Sequence, residues 1–270
     1  MPPLDREEVV EVTKIWSVAG RTKGKLIQFP PFRSPHHTVS PVGLSGGGSV
    51  PRPGEISLAH HGVLFLDELT EFQRQALEVL RQPLEQGTVS ISRATYSISY
   101  PADFMLVTAM NPCPCGYSTD PRHACTCSAQ AVARYRARLS GPLLDRIDLH
   151  VEVPAVSYED LRAARSGPSS SEIRERVLKA REIQAERYRG TNCRTNADLT
   201  GSLLEEHCRL GSAEHEFLGA AVRNLALSAR AYTRILRVAR TIADLEGVRD
   251  IALPHIAEAL SCRMLDREQA

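Results

Sequence analysis

The sequence lacks any run of about 18 consecutive apolar residues, which excludes an ordinary membrane-spanning helix. It also lacks an excess of charge of either sign. Its formal net charge is +1, which excludes a strongly basic nucleic-acid-binding body and leaves room only for local contacts with DNA or RNA. The first residues do not read as a secretory signal, so a cytoplasmic protein without membrane contact is expected.

A phosphate-gripping loop is missing as well. The pattern G-x-x-x-x-G-K-[ST] does not occur in these 270 residues, and the glycine-rich stretch at 44–49 lacks the Lys-Ser/Thr ending. That absence excludes nucleotide binding through a P-loop in this stretch. What is present is an ordinary globular composition, with 42% hydrophobic and 24% charged residues.

Hydrophobic spacing predicts an α/β part at residues 1–154 followed by an all-helical part at 155–270. Continuous apolar runs predict parallel strands that are buried on both faces of one sheet. Alternation predicts a β-hairpin at 88–100, and Pro83 is expected to end or kink its helix. The predicted strands are 63–66, 104–109 and 149–153, and the predicted helices are 7–19, 71–82, 172–189, 214–225, 229–244 and 254–265.

The apolar run VLFL at 63–66 delivers two adjacent carboxylates, Asp67 and Glu68. This is the Walker B arrangement, and ligands of open α/β sheets bind at the carboxyl ends of the strands. In that reading Asp67 holds Mg²⁺ and Glu68 orients or polarises the attacking water. A strand that simply ends in an acidic turn is the alternative.

Polar and basic residues follow in the same order that a nucleotide site would need. Asn111 comes after the predicted strand 104–109, where its amide could contact a γ-phosphate or position water. Arg146 lies between two acidic residues and is either a surface ion pair or an arginine finger that reaches a neighbouring subunit. The arginines of 228–240 are either solvated helix faces or a phosphate contact at the start of a helix.

Seven cysteines are present, and without a secretory signal they favour thiols or metal ligands over disulfides. Cys113, Cys115, Cys125 and Cys127 form two C-x-C pairs on one loop, with His123 beside the second pair. Four thiolates could hold Zn²⁺ tetrahedrally, although C-x-C is tighter than the usual spacing. Free thiols and a redox disulfide remain the alternatives.

The histidine pairs at 36–37 and 60–61 resemble metal ligands at first sight. Because no carboxylate or cysteine cluster lies beside them in the sequence, packing roles in a loop and a helix are expected.

Taken in order, these motifs resemble the AAA+ ATPases, specifically the magnesium-chelatase-like branch of the ComM/YifB type. The similarity covers essentially the whole chain. It is carried by PFRSPHHT at 31–38, PGEISLAHHGVLFLDE at 53–68, NPCPCG at 111–116, GPLLDRID at 141–148 and SARAYTRILRVAR at 228–240.

The resemblance implies an incomplete AAA+ P-loop NTPase core with a β-hairpin insertion, followed by an all-helical lid. It implies that the enzyme uses ATP and Mg²⁺, with Asp67 and Glu68 as Walker B, Asn111 as sensor 1, Arg146 as arginine finger and Arg230 as sensor 2. It also implies a homo-oligomeric ring, expected to be a hexamer, with the hairpin facing the ring or its pore.

In such proteins the Walker A loop lies just upstream of the segment where this sequence begins, and a Lon-protease-like domain precedes it. The resemblance therefore implies a chain truncated at its amino terminus, which is expected to be inactive alone. Relatives of the ComM type are linked to DNA branch migration in natural transformation, whereas chelatase subunits drive metal insertion into porphyrin.

Three functions follow as hypotheses: a DNA-remodelling ATPase module, a chelatase-type motor that acts on a protein partner, and a non-catalytic assembly fragment. Salt-dependent binding to branched DNA separates the first from the second. Nucleotide binding separates both of them from the third.

Overall fold

The computed structural model describes residues 1–93, 96–120, 122–156, 158, 162 and 167–263. The chain forms two compact units, one of residues 3–146 and one of residues 1–2 together with 147–270. Within the described ranges, no helix combines the length and the hydropathy that crossing a bilayer requires.

The first unit is mixed α/β. Its opening helix begins at a capping box, in which the side chains of Asp5 and Glu8 each accept the other residue's backbone N–H. The helices are α1 (Arg6–Val18), α2 (Pro41–Ser45), α3 (Glu55–Leu58), α4 (Arg74–Glu78), α5 (Arg81–Gln86), α6 (Ala129–Arg136) and α7 (Gly141–Leu144). The strands are β1 (Phe32–Arg33), β2 (Gly46–Gly47), β3 (Arg52–Pro53), β4 (Val63–Leu66), β5 (Thr88–Arg93), β6 (Tyr96–Pro101) and β7 (Met105–Thr108).

The central sheet has the order β1-β4-β7, and all three strands are parallel. Just before β4, a Cβ on Gly62 would lie 2.0 Å from the backbone oxygen of Pro31, so only glycine lets β4 approach the segment that leads into β1. The predicted strands 63–66 and 104–109 are confirmed as β4 and β7.

The two faces of this sheet differ in burial. Leu64 and Leu66 point to one face and are fully buried. The opposite face carries the exposed side chains of Phe32 and Met105 and the half-buried Phe65, which stacks on Phe32 with ring centroids 6.1 Å apart. The expectation that β4 is buried on both faces is therefore wrong, because only one face of the sheet is covered by the described residues.

The expectation of a third sheet strand at 149–153 is also wrong. Within this segment only a bridge forms, between His150 and Arg263, with the His150 N–H donating to the oxygen of Cys262. Val151 and Val153 are exposed, so none of the described residues forms a layer that covers the apolar residues that predicted a buried strand. The third strand of the sheet is β1, a two-residue element too short to show a hydrophobic period.

The predicted helix 71–82 is two short helices, α4 and α5, and Pro83 does not end a helix. It lies in the first turn of α5, where a missing N–H breaks no helical hydrogen bond. The hairpin predicted at 88–100 is confirmed as the antiparallel pair β5–β6, with Ile91 opposite Ile98.

The second unit is all helical over its described residues, as the sequence predicts. Its core includes Leu218, Ile235, Ile256 and Leu260, with Cys208 buried among them as a packing residue. Its helices are α8 (Ser170–Arg187), α9 (Gly201–His207), α10 (Ser212–Asn224), α11 (Ala229–Glu246) and α12 (Leu253–Ser261). Residues 264–265 of the predicted last helix lie outside the described residues.

A buried polar network ties α11 to α8 and to the turn at Asn196–Asp198. The Asp244 side chain is fully buried and accepts hydrogen bonds from Arg187 Nη1 and Asn196 Nδ2, both at 2.8 Å. Arg240, which is also buried, donates its Nε–H to Asp244 at 3.2 Å. Its other guanidinium nitrogens donate to the backbone oxygens of Val248 and Arg249, which follow α11. One carboxylate thus compensates the charges of two arginines.

We expect Asp244→Ala to lower the free energy of unfolding of the helical unit by about 3–5 kcal/mol, because it leaves the Arg240 guanidinium buried without its counter-ion. Urea unfolding followed by circular dichroism measures the change. The exposed Asp250→Ala is the matched control, with an expected effect within about 0.5 kcal/mol.

The same network makes the stability of the helical unit depend on pH at the acidic end. Burial alone would raise the pKa of Asp244, but hydrogen bonds from Arg187 and Asn196 outweigh it and lower that pKa. The contribution is thus present above the unfolded carboxyl pKa of about 3.9 and is lost as pH falls through the lower folded value. A gain of stability between pH 7 and pH 5 that Asp244→Ala abolishes would contradict this sign, because it would require a raised pKa in the folded state.

Candidate functional site

The acidic pair lies at the carboxyl edge of the central sheet. Asp67 and Glu68 directly follow β4, and Asn111 follows the end of β7 by three residues. The register pairs Leu66 with Thr108, and the Leu69 N–H donates to the oxygen of Ala109 at 2.9 Å. Because the two strands are parallel neighbours, the turns that carry the acids and the amide leave the sheet at the same edge.

Glu68 has a left-handed backbone, with φ 52° and ψ 48°, which is uncommon for a residue other than glycine. Its N–H donates to Asp67 Oδ1 at 2.9 Å, so the carboxylate of one acid fixes the backbone of the other. The Glu68 side chain is 57% exposed. The turn thus presents one carboxylate engaged with the backbone and a second that is open to solvent.

A histidine that sequence reasoning assigned to packing contacts this site. His37 Nδ1 lies 3.0 Å from Glu68 Oε2. The histidine pairs have carboxylate partners in space that are not their neighbours in the sequence: Glu68 contacts His37, and Glu11 contacts both His60 and His61. The contacts join distant parts of the sequence, so local inspection of each pair could not find them.

Arginines of the 134–138 segment hold the turns around the acids. Arg138 Nη1 donates to the oxygen of Thr70 and to Glu71 Oε1, both at 3.1 Å, and Arg136 Nε donates to the oxygen of Pro112 at 3.4 Å. Asn111 itself is exposed. Arg136 and Arg138 thus have an internal structural role.

Arg146 is buried, with 5% of its side chain exposed, and pairs with Glu85 while donating to the oxygen of Pro142. It follows the short helix α7. Neither a simple surface ion pair nor an already extended finger describes this arrangement. To reach the nucleotide of a neighbouring subunit, the guanidinium would have to leave Glu85.

Arg230 occupies the first turn of α11 and is exposed, and Ser228 caps that helix by accepting the N–H of Ala231. Later arginines of the same helix are structural. Arg237 donates to the oxygen of Leu199, and Arg234 pairs with Asp148. Arg230 lies at the start of the helix, the position that suits a phosphate contact.

The four cysteines of the loop converge, as their spacing predicts. Three Sγ–Sγ distances are 3.4 Å for Cys113–Cys115, 3.5 Å for Cys115–Cys125 and 3.7 Å for Cys113–Cys125. All four sulfurs, including that of Cys127, lie within 4.8 Å of one another. Tetrahedral Zn²⁺ with bonds of about 2.3 Å separates its sulfurs by about 3.8 Å, so the donor set fits this metal.

The backbone favours the thiolate form of one of these cysteines, Cys115. Hydrogen bonds from the backbone of Tyr117 and Thr126 lower the pKa of Cys115 to about 5. The adjoining Cys115 sulfur raises the pKa of Cys127 to about 12. His123 is turned to Asp120, with its Nδ1 2.9 Å from Oδ2, and it is not one of the four converging ligands.

A second group, Glu11, His60 and His61, also has its ligand atoms within 4.8 Å. The backbone N–H of Asp103 donates to His60 Nδ1 at 3.0 Å, so the proton of the neutral ring is on Nε2, facing Glu11 at 3.3 Å. A metal would need that nitrogen's lone pair. This group is therefore a hydrogen-bonded anchor for α1, in which burial lowers the pKa of His60.

Comparison with known proteins gives a consistent assignment. The family model described as magnesium chelatase, subunit ChlI, matches residues 1–161, and the model of the ChlI C-terminal region matches residues 167–263. The competence protein ComM of Haemophilus influenzae is 51% identical over 88% of this chain and 46% of its own length. YifB of Escherichia coli, an uncharacterized protein, is 44% identical over 99% of this chain and 52% of its own length.

The chain spans about half the length of these curated relatives. A shorter similarity links it to the magnesium-chelatase 67 kDa subunit of Chlorobaculum parvum, at 36% identity over 26% of this chain and 11% of that protein. The fold agrees with these matches, since an α/β unit with a parallel sheet precedes a helical one, as in an AAA+ core followed by a helical lid. The chain belongs to the magnesium chelatase subunit ChlI family, within which it resembles ComM and YifB.

Proposed function

We propose that this chain is the greater part of an ATP-driven motor module that works in a homo-oligomeric ring, expected to be a hexamer. The observation that supports it is the placement of Asp67, Glu68 and Asn111 at one carboxyl edge, on adjacent parallel strands. An edge of this kind is where open α/β sheets bind their ligands.

The residues would divide the work as follows. Asp67 offers a carboxylate oxygen, the donor that Mg²⁺ prefers, and bound Mg²⁺ would neutralise phosphate charge. The open carboxylate of Glu68 orients water, and Asn111 contacts the terminal phosphate. Arg146 acts on the nucleotide of a neighbouring subunit, and Arg230 contacts phosphate from the helical lid.

Along the chain, the first compact unit ends at residue 146, the first family match ends at residue 161, and the second family match begins at residue 167. The predicted boundary near residue 155 lies between residues 146 and 167. We place the AAA+ core before it and the lid after it.

DNA remodelling is the favoured use of this motor, because the extensively similar relative from Haemophilus influenzae is a competence protein. A motor that acts on a protein partner and a non-catalytic assembly fragment are the other outcomes. Binding to branched DNA that weakens steeply as salt rises would support remodelling. Binding of nucleotide without binding of DNA would favour the protein-directed motor.

The enzymatic test joins this chain to the phosphate-loop segment of a relative and measures ATP binding and turnover separately. We expect Arg146→Ala to lower turnover by about 10³-fold or more while ATP still binds. The exposed Arg134→Ala is the matched control and should leave turnover unchanged. Equal loss of binding and turnover in Arg146→Ala would instead indicate that the pair with Glu85 is structural.

Zinc is the proposed occupant of the four-cysteine loop, in a structural role. The convergence of four sulfurs on a loop of mostly polar residues supports it, because such a loop has little apolar surface to hold it together.

A further inference from the structure

The guanidinium of Arg146 is turned away from solvent. Only 5% of the side chain is exposed; its Nη2 pairs with Glu85 Oε1, and its Nη1 donates to the backbone oxygen of Pro142. A guanidinium that acts on the nucleotide of a neighbouring subunit must be exposed to that subunit. The structure therefore holds Arg146 in a withdrawn position, paired with Glu85, from which it has to turn outward before it can contact a phosphate.

Glu85 is carried by a well-tied part of the backbone. Helix α5 closes at Gly87, which has a left-handed φ of 64° and donates its N–H to the oxygen of Pro83 at 2.9 Å. The N–H of Ala102 donates to the oxygen of Gly87 at 2.7 Å and so ties the end of α5 to the end of the β5–β6 hairpin. Because the backbone that carries Glu85 is bonded to two elements, Arg146 is the partner that moves when the pair opens.

The pair with Glu85 can open at a lower cost than the ion pair in the helical unit. Arg240 and Asp244 are both buried, with 2% and 0% of their side chains exposed, so separating them leaves a buried charge without compensation. Glu85 has 44% of its side chain exposed, so water hydrates its carboxylate after Arg146 leaves. The first arrangement suits a permanent contact and the second a reversible one.

We propose that Glu85 is a positioning residue for Arg146: it holds the guanidinium in the withdrawn position until the nucleotide of a neighbouring subunit offers a stronger acceptor. This inference rests on the proposed function, in which Arg146 acts on that nucleotide. A terminal phosphate carries more negative charge than a carboxylate and offers several acceptor oxygens, so the guanidinium exchanges one partner for a better one. Glu85 thus competes with the phosphate for Arg146.

The first test measures whether the guanidinium is protected, and it needs no turnover. Brief treatment of the 270-residue chain with phenylglyoxal, followed by peptide mass spectrometry, gives a modification rate for each arginine. We expect Arg146 to react about 10 times more slowly than Arg81, which also pairs with a glutamate, Glu78, but is 42% exposed. Glu85→Gln should raise the rate at Arg146 by about fivefold or more, whereas Glu78→Gln should leave it unchanged.

Two results of this labelling would overturn the proposal. Equal rates for Arg146 and Arg81 in the unaltered chain would show that the guanidinium is not withdrawn. An Arg146 that stays equally protected in Glu85→Gln and in Glu85→Ala would show that another contact holds it.

The second test is kinetic and uses the chain joined to a relative's phosphate-loop segment. Because the withdrawn position competes with the phosphate contact, Glu85→Gln should raise kcat by about 3- to 10-fold, with KM for ATP within about twofold. The gain should require the arginine, so the double variant with Arg146→Ala should turn over no faster than Arg146→Ala alone. Glu78→Gln is the matched control and should leave kcat unchanged. A lower kcat in Glu85→Gln would contradict the proposal, because Glu85 would then hold Arg146 in its productive position.

The two proposals fail in different ways. Undiminished turnover in Arg146→Ala would refute the assignment of Arg146 and the role of Glu85 with it, although Arg146 would still be protected from phenylglyoxal. An inactive Arg146→Ala enzyme beside a Glu85→Gln enzyme whose kcat is unchanged or lower would refute only the role of Glu85.

Discussion

The 270-residue chain is expected to hydrolyse ATP no faster than its own Glu68→Gln variant. Phosphoryl transfer depends on holding the phosphates in line with water and on stabilising charge, and a P-loop does this with backbone N–H groups and a lysine. Asp67 can attract Mg²⁺ and Glu68 can orient water, but neither fixes the phosphates. The loss of positioning alone is expected to cost on the order of 10⁵-fold.

The glycine-rich stretch does not replace the missing cradle. Gly46 and Gly47 form β2, which pairs antiparallel with β3. A Cβ on Gly46 would lie 2.4 Å from the oxygen of Arg52, so this glycine serves the close approach of two backbone segments. Its role is explained without a phosphate ligand.

Phosphate release by the purified chain, with and without Glu68→Gln, measures this expectation. The same chain joined to a relative's phosphate-loop segment is the positive control, in which Glu68→Gln should lower turnover by about 10²- to 10⁴-fold. Robust turnover by the unextended chain that Glu68→Gln removes would show that another part of the chain grips the phosphates.

Long apolar runs with defined ends were predictable from the sequence, and short or isolated pieces were not. Strand β4 was predicted with its observed bounds because four apolar residues end at two acids, and α11 because its apolar positions recur with a helical period. The two residues of β1 carry no such pattern. Residues 149–153 carry a misleading pattern. Apolar residues with the pattern of a strand form a strand only where a neighbouring strand pairs with them.

The proposed site was predictable where strand order alone determines proximity. Asp67 and Asn111 end parallel neighbours, so their common edge follows from the order of elements. The pairing of His37 with Glu68 depends on the path of a loop, and the pairing of Arg146 with Glu85 depends on side-chain packing. Neither has a periodic signal in the sequence. The only sequence feature that could have indicated a site role for His37 is its place in a histidine pair just after a short apolar segment.

The cysteine spacing predicted the cluster because four cysteines on one short loop are necessarily close together in space. The observed separations of 3.4–3.7 Å leave the sulfurs close to the edge lengths of a zinc tetrahedron. They exceed the disulfide bond length of about 2.05 Å by a wide margin. Of the alternatives for this loop, bound metal therefore gains most from the structure.

The purified chain, kept reduced, is expected to contain one zinc ion per molecule, and Cys115→Ser is expected to lower zinc affinity by more than about 100-fold. Losing even an outer hydrogen-bond partner of a zinc ligand costs about 10–100-fold, and Cys115 would be a direct ligand that also accepts backbone N–H groups of Tyr117 and Thr126. Elemental analysis and competition with a chelator measure both quantities. Cys193→Ser is the matched control, since that cysteine lies in the helical unit outside the cluster.

Zinc removal should also destabilise the α/β unit selectively. Metal binding is coupled to folding of the loop that supplies the ligands, so chelator should lower the unfolding temperature of the unaltered chain and leave that of Cys115→Ser unchanged. Cobalt should substitute with the visible absorption of a tetrahedral thiolate site. Acidification should release the metal, because protons compete for the four thiolates. A chain that contains no zinc and unfolds identically with and without chelator would refute the metal centre, and the cluster would then consist of free thiols.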